Sequence, residues 1–99
     1  MKFEMLVALN VTDEKSYADY RREITPILTT YGGGFRYDFR VSETLRSEVD
    51  HPITRVFTIY FGSQEQSDAF FADPAYLAAK KRYYAPAVAG TTIIARYEK

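Results

Sequence analysis

The sequence has no cysteine, no tryptophan and a single histidine. Without cysteine the chain can form no disulfide, thiolate nucleophile or cysteine-ligated metal site. One imidazole and scattered carboxylates do not make a metal-binding motif, so we expect no metal. Lys plus Arg and Asp plus Glu each total 13, which gives a net charge of zero. That balance provides no long-range attraction to nucleic acid or to an anionic membrane.

Long apolar runs are also missing. No stretch approaches the roughly 20 residues that span a membrane. Glu4 interrupts the early apolar run, which argues against a signal peptide. We therefore expect a cytoplasmic protein with no membrane partner. The 99 residues are 46% hydrophobic and 16% aromatic, which indicates one packed domain over residues 1–99.

Two segments are apolar on both faces, as is typical of central strands covered on both sides. The first runs from Phe3 to Val11, and the second covers Val56 to Phe61 within a strand predicted from Ile53 to Phe61. A fourth strand is predicted from Thr91 to Tyr97 because β-branched residues are enriched there. Residues 42–52 are polar, lack periodicity and are predicted to form a loop.

Between these strands, residues 35–41 alternate between apolar and polar side chains. This pattern predicts a strand with one buried face. The predicted buried face comprises Phe35, Tyr37, Phe39 and Val41. The predicted polar face comprises Arg36, Asp38 and Arg40.

Two helical regions complete the pattern. Thr12 or Asp13 can cap a first helix, in which Pro26 should cause a kink and which the glycines from residue 32 should end. Ser63 can cap a second, which restarts at Asp73-Pro74. The order β-α-β-β-α-β predicts an α+β, ferredoxin-like fold: a four-stranded antiparallel sheet with two helices on one face.

The face of this sheet away from the helices is predicted to be partly apolar. It would carry Leu6, Ala8, Val56 or Phe57, and Ile93 or Ile94. An apolar face of this kind usually marks an interface. The simplest partner is a second copy of the chain, so we expect a homodimer whose sheets pack face to face. The alternative is a monomer that leaves the face exposed.

Several short motifs are spread along the chain: Val11-Thr-Asp13, Tyr17 with Tyr20, Pro26 to Gly33, Phe61 followed by Ser63, Ala69-Phe70 and Asp73-Pro-Ala-Tyr76. Together they resemble the domain-of-unknown-function family 1330. This resemblance implies a dimeric α+β barrel, a superfamily that includes cofactor-free monooxygenases and isomerases. It implies no common reaction and no catalytic residues for this chain, and we expect no cofactor.

Candidate ligand-binding residues follow from chemistry. His51 is the only side chain with an unperturbed pKa near neutrality and could act as a base or contact a ligand, although a solvated loop histidine is the favoured interpretation. Arginines flanking a carboxylate could hold an anion or form structural ion pairs. Tyrosines could line a cleft between helices and sheet, or simply belong to the core. The candidates are Arg36, Tyr37, Asp38, His51, Arg55, Tyr60 and Tyr76, with Tyr17 and Tyr20 as further members of the cleft.

Three hypotheses follow. The first is a homodimeric domain that binds a compact acidic or aromatic molecule in the helix–sheet cleft. The second is a cofactor-free monooxygenase- or isomerase-like enzyme. In this enzyme Tyr37 or Tyr60 would polarise a carbonyl group of the substrate, and Arg36 or Arg55 would bind its negative charge. His51 or Asp38 would transfer the proton. The third is a structural or regulatory dimer without a substrate. Nucleic-acid binding is not expected, because the charge is balanced and the aromatic-glycine signature of RNA-binding sheets is absent.

Overall fold

A computed structural model describes all residues from Met1 to Lys99. The strands are β1 (Phe3–Val11), β2 (Gly34–Arg40), β3 (Arg55–Phe61) and β4 (Val88–Glu98). The helices are α1 (Glu14–Thr30), α2 (Gln64–Ala72) and α3 (Pro74–Ala79), followed by a π-helical turn at Lys80–Tyr84. The predicted order is confirmed, with the second helical region in three parts.

The strands form one antiparallel sheet in the order β2-β3-β1-β4. The two segments that are apolar on both faces are therefore central, as predicted. The final strand is longer than predicted, since it begins at Val88, which pairs with Val11 across a register shift.

Local signals place the helix ends. The Asp13 carboxylate accepts the Ser16 N–H at 3.1 Å and caps α1, which continues past Pro26 to Thr30. Gly32 has a φ of +69°, a left-handed conformation that suits glycine. Ser63 caps α2 through the Gln66 N–H, and Asp73 caps α3 through the Ala75 N–H, as the predicted restart requires.

One face of the sheet, hereafter the helix-covered face, packs against the helices. From β1 it presents Phe3, Met5, Val7, Leu9 and Val11, all buried. From β3 it presents Phe57, Ile59 and Phe61, also buried. The opposite, outer face carries Leu6, Ala8, Val56 and Thr58, together with Tyr37 and Phe39, each 55% exposed.

The prediction for β2 was wrong after its first residue. Phe35 pairs with Ile59, but Tyr37 pairs with Thr58, so Arg36 is an extra residue in a β-bulge. The bulge reverses the alternation. Phe35 faces the helices and packs on Phe57, Tyr37 and Phe39 stack on the outer face, and Asp38 faces α1.

Consequently Arg36, Asp38 and Arg40 do not project together. Arg40 points with Asp38 towards α1, where it lies 3.8 Å from Glu14. Of the alternatives named for the outer face, Val56 lies there, whereas Phe57 and Ile93 face the helices. None of the helices has the length and hydropathy needed to cross a membrane.

Candidate functional site

A cavity of about 470 Å³ lies between the helices and the helix-covered face of the sheet. Small-molecule sites usually have volumes of about 300–1,000 Å³. On the sheet side, one row of paired residues crosses all four strands beneath it: Phe35, Ile59, Met5 and Arg96. The cavity therefore extends across the sheet from β2 to β4.

The helix side of the cavity is mainly aromatic. Three elements contribute: α1, the α2–α3 pair and the π-helical turn. The lining side chains are Tyr17, Tyr20, Arg21, Ile24, Phe70, Phe71, Tyr76, Lys80 and Tyr84. In the π-helical turn the Ala85 N–H donates to the Lys80 carbonyl at 2.9 Å, five residues back. Both Lys80 and Tyr84, from the two ends of this turn, line the cavity.

Arg21 provides the cavity with a buried cationic group. Its Nε donates to the Tyr17 hydroxyl at 2.9 Å, and its Nη1 lies 3.3 Å from Asp38 Oδ2. The guanidinium carbon lies 3.8 Å from the centre of the Phe35 ring and 4.7 Å from that of Phe57. The remaining nitrogen, Nη2, is buried and has no hydrogen-bond partner. Such a donor normally has one, because leaving it unpaired costs about 1–3 kcal/mol.

Asp38 and Arg55 hold Arg21 in place. Arg55 donates to both oxygens of Asp38 at 2.8 Å, a bidentate pair of fixed geometry. Burial opposes ionisation of Asp38, but the hydrogen bond from Arg55 and the charge of Arg21 outweigh it and lower the pKa of the carboxyl. Asp38 is therefore anionic near neutrality and orients the guanidinium of Arg21.

Three tyrosines provide hydroxyl groups. Tyr20 donates to the Tyr76 hydroxyl at 3.4 Å, and the Tyr84 hydroxyl lies 2.5 Å from Thr91 Oγ1. Burial raises the pKa of all three phenols above the ordinary value of tyrosine. Near neutrality they are protonated, so they can donate hydrogen bonds but are poorly suited to act as bases.

The charge at the cavity is of one sign. Its three charged lining residues are Arg21, Lys80 and Arg96, and no carboxylate or imidazole lines it. The charged residues that line the cavity are therefore all cationic, and one of them, Arg21, is paired with Asp38 outside the lining.

The predicted site residues are divided between the two faces. Tyr76 lines the cavity, as do Tyr17 and Tyr20. Asp38 and Arg55 do not line the cavity, but Asp38 pairs with Arg21 and with Arg55. Tyr37 and Tyr60 do not join the cleft: Tyr37 is stacked on Phe39 at the outer face, and Tyr60 pairs there with Glu4.

Arg36 belongs to a separate outer-face cluster around Glu4. The Glu4 side chain is 1% exposed, and its Oε1 accepts from Arg36 Nε at 2.5 Å. Tyr97 donates to the other oxygen, and Lys99 Nζ lies 3.9 Å from it. The Arg36 guanidinium also covers the Tyr60 ring at 4.3 Å. The groups of this cluster satisfy one another.

His51 lies away from the cavity. Its Nε2 is 2.7 Å from Thr92 Oγ1, and its Nδ1 is 2.7 Å from the Pro52 carbonyl oxygen. Its ring lies over Gly90, where a Cβ would come within 2.4 Å of the imidazole. These contacts fasten the loop after β2 to β4 and give the imidazole a structural role.

Five cavity residues with charged or hydroxyl-bearing side chains were missed in the sequence analysis: Arg21, Lys80, Tyr84, Thr91 and Arg96. Arg21 had a usable signal, because it lies four residues after Tyr17 and three before Ile24, on the apolar stripe of α1. A cation on such a stripe requires a buried partner. No sequence signal places the other four at a cavity.

The family model of DUF1330, a domain of unknown function, matches residues 5–97. The chain belongs to this family. Among curated proteins, none matches the sequence.

Solved structures show the same fold. A protein of unknown function from Rhodopseudomonas palustris is similar over 99% of this chain and 82% of its own, with 22% identity and a TM-score of 0.82. A dabb family protein with a ferredoxin-like fold from Mesorhizobium loti is 16% identical, over 99% and 96% of the two chains, with a TM-score of 0.67.

A putative antibiotic biosynthesis monooxygenase from Nitrosomonas europaea is also similar. It is 14% identical over 99% of this chain and 89% of its own, with a TM-score of 0.66. At these identities the likeness establishes the ferredoxin-like fold of the DUF1330 chain.

Proposed function

We propose that this DUF1330 protein binds a compact aromatic molecule with an acidic group in the helix–sheet cavity. The observation that carries the proposal is the buried Nη2 of Arg21, which has no partner within the protein. A carboxylate, or another anionic oxygen, is the natural acceptor for a guanidinium N–H. Its arrival would satisfy the one buried side-chain donor that the fold leaves unpaired.

The rest of the cavity supports an aromatic body. Thirteen of its seventeen lining residues are hydrophobic, so most of the ligand surface would contact apolar side chains. The Phe35 and Phe57 rings pack against Arg21 and also line the cavity. They could therefore contact the aromatic ring of a ligand whose acidic group lies near Arg21. The cleft is open rather than filled by its own side chains, which favours a ligand-binding role over a purely structural dimer.

Thermal shift with a matched pair of probes tests the proposal. The probes are 2-naphthoate and 2-naphthamide, which differ in charge but hardly in shape. A ligand that binds only the native state raises its stability by mass action, about 2.7 kcal/mol at a hundredfold excess over Kd. We expect the acid to raise the Tm by several degrees and the amide to raise it much less.

The Arg21→Met variant should lose the response to the acid. Arg22→Met is the matched control, because Arg22 lies on the exposed side of α1 and pairs with Asp19. An acid and an amide that bind equally, or an acid that binds Arg21→Met as well as the wild type, would contradict the proposal.

A second candidate is a cofactor-free monooxygenase or isomerase. Support comes from the fold shared with the putative monooxygenase of Nitrosomonas europaea and from the phenols that could donate to a substrate carbonyl. The cavity lining lacks a carboxylate or imidazole for proton abstraction. Oxygen uptake, measured with any acid that binds and without added cofactor, is the test, and uptake that requires Tyr76 would favour this candidate.

We also propose that the chain forms a homodimer through the outer face. The support is the exposed Tyr37–Phe39 pair beside a shallow apolar depression of about 310 Å³ that also includes Leu6 and Val56. Light scattering should give twice the mass of one chain. Phe39→Asp should shift the protein towards monomer, while Leu77→Asp, at an exposed position on α3, should not. A wild-type monomer at micromolar concentration would refute the dimer.

A further inference from the structure

We infer that the ligand of the cavity is a dianion, with a flat apolar body and an acidic group at each end. The inference rests on the proposed function, since it names the ligand class of the same cavity. It comes from where the cations lie: one at the closed end near β2, and two at the open end near β4.

The two ends are separated by the width of the sheet. Arg21 lies over Phe35 on β2. Phe35, Ile59, Met5 and Arg96 are successive partners across the four strands. Neighbouring strands lie about 4.8 Å apart, so Phe35 and Arg96 are about 14 Å apart along this row. The space between holds the apolar middle of the cavity.

Exposure distinguishes the two ends. Around Arg21, the side chains of Tyr17 and Ile24 are each 1% exposed. On β4 beside Arg96, Ile93 is 41% exposed, and Phe71, which lines the same cavity from α2, is 36% exposed. The β4 end is therefore the mouth of the cavity, where Lys80 from the π-helical turn joins Arg96 in its lining.

The two cations at the mouth are free of protein partners. Neither Lys80 nor Arg96 forms an ion pair, and neither do Lys81 and Arg82 of the same turn; what distinguishes Lys80 and Arg96 is that they line the cavity. No carboxylate lines the cavity. Charged surface side chains usually lie among charges of both signs, so an unbalanced pair beside an apolar opening indicates an anionic ligand group there.

The two charged ends would contribute unequally. The Arg21 side chain is 15% exposed and its contribution depends less on salt, whereas water and ions screen the exposed Lys80 and Arg96. The second acidic group of the ligand should therefore increase affinity moderately, by about three- to tenfold at low ionic strength. That increase should shrink as salt is added.

Isothermal titration calorimetry with naphthalene-2,6-dicarboxylate and 2-naphthoate tests the inference. The wild type should bind the diacid about three- to tenfold more tightly at low salt. The double variant Lys80→Gln/Arg96→Gln should lose that preference but keep its affinity for the monoacid. The control Lys81→Gln/Arg82→Gln alters two exposed cations of the same turn that do not line the cavity, and should keep the preference.

The outcomes separate the inference from the proposed function. Equal affinity for the two acids, with binding lost in Arg21→Met, overturns the dianion and leaves the proposed function standing. A preference for the diacid that survives in Lys80→Gln/Arg96→Gln also overturns the inference. Absence of binding of both acids overturns the inference and the proposed function together.

Discussion

Each face of the sheet has a cluster in which arginine, carboxylate and tyrosine meet. On the outer face, Glu4 is buried and accepts hydrogen bonds from Arg36 and Tyr97. On the helix-covered face, Asp38 pairs with Arg55 and Arg21. The chemistry is the same, but the outer cluster has no buried unpaired atom, and the inner cluster has one, Nη2 of Arg21.

The two clusters therefore have different expected roles, one in stability and the other in the proposed binding. Where a buried polar cluster is fully paired, its hydrogen bonds offset the cost of burial, and the cluster holds the fold. Where one donor lacks a partner, the fold bears a cost that an acceptor on a bound molecule would offset under the proposed function. The outer cluster should therefore matter to stability, and the inner cluster to binding.

The largest effect on this comparison is expected from Glu4→Ala. Removing the carboxylate leaves the Arg36 charge and the Tyr97 hydroxyl without their partner, which should lower the free energy of unfolding by about 2–3 kcal/mol. Urea denaturation measures the change. Glu4→Gln keeps the shape and one acceptor oxygen, so it should cost about half as much. If Glu4→Ala lowers the free energy of unfolding by less than a substitution at an exposed position does, the structural role of Glu4 would be contradicted.

A smaller effect is expected from Arg36→Met. The change removes one charge-assisted hydrogen bond worth about 1.5 kcal/mol, while Glu4 keeps Tyr97 and Lys99. The same urea experiment applies, with Arg46→Met in the exposed loop as control. If Arg36→Met and Arg46→Met lower the free energy of unfolding by the same small amount, the outer cluster does not depend on the Arg36 guanidinium.

The third-largest effect is expected from low pH, which should reduce the stability that the outer cluster provides. Burial opposes ionisation of Glu4, yet the hydrogen bonds from Tyr97 and Arg36 dominate and lower the pKa of its carboxyl below 4.5. A depressed pKa in the folded protein stabilises it above the unfolded value, and that stabilisation disappears as the pH falls through the folded pKa. Stability should thus decrease below about pH 4.5.

Glu4→Gln should flatten this decrease, since it removes the titrating group. Asp38 has a lowered pKa as well, so a residual slope should remain and should diminish further in Asp38→Asn. Urea titrations between pH 3 and 7 measure both slopes. A Glu4→Gln profile parallel to that of the wild type would show that Glu4 does not titrate as described.

The smallest effect on stability is expected from Arg21→Met. The change removes the unpaired buried donor, and that gain offsets the cost of leaving the Tyr17 hydroxyl without its hydrogen bond from Arg21 Nε. Methionine also packs well beside Phe35 and Phe57. Asp38 keeps its bidentate bond to Arg55. We expect the free energy of unfolding to change by less than about 1 kcal/mol. A loss as large as that of Glu4→Ala would make Arg21 a structural residue and remove the contrast between the clusters.

Much of the fold could be predicted because its signals are local. Asp13, Ser63 and Asp73 mark helix starts through hydrogen bonds to backbone N–H groups two or three residues away. The two strands that are apolar on both faces gave the centre of the sheet. Strand order and helix placement followed from these signals and the order of elements.

What could not be predicted depends on pairing between distant residues. Nothing within residues 34–40 shows that Arg36 is a bulge, because the register of β2 is set by β3. That single residue reversed the faces of Tyr37, Asp38 and Phe39. The cavity could not be predicted from the sequence for a similar reason, because it is the space that remains between the packed helices and strands. The unpaired Nη2 of Arg21 could not be predicted either, because no other residue of the folded chain forms a hydrogen bond with it.

The π-helical turn at Lys80–Tyr84 has a consequence for how this architecture varies. In a π-turn five residues make the turn that four make in an α-helix, so deleting one residue, such as Lys81, would leave the direction of Tyr84 towards Thr91 nearly unchanged. The turn is in effect a one-residue insertion that the helix absorbs locally. In this architecture the length of the segment can vary by one residue while the side chains on either side of the turn keep their directions.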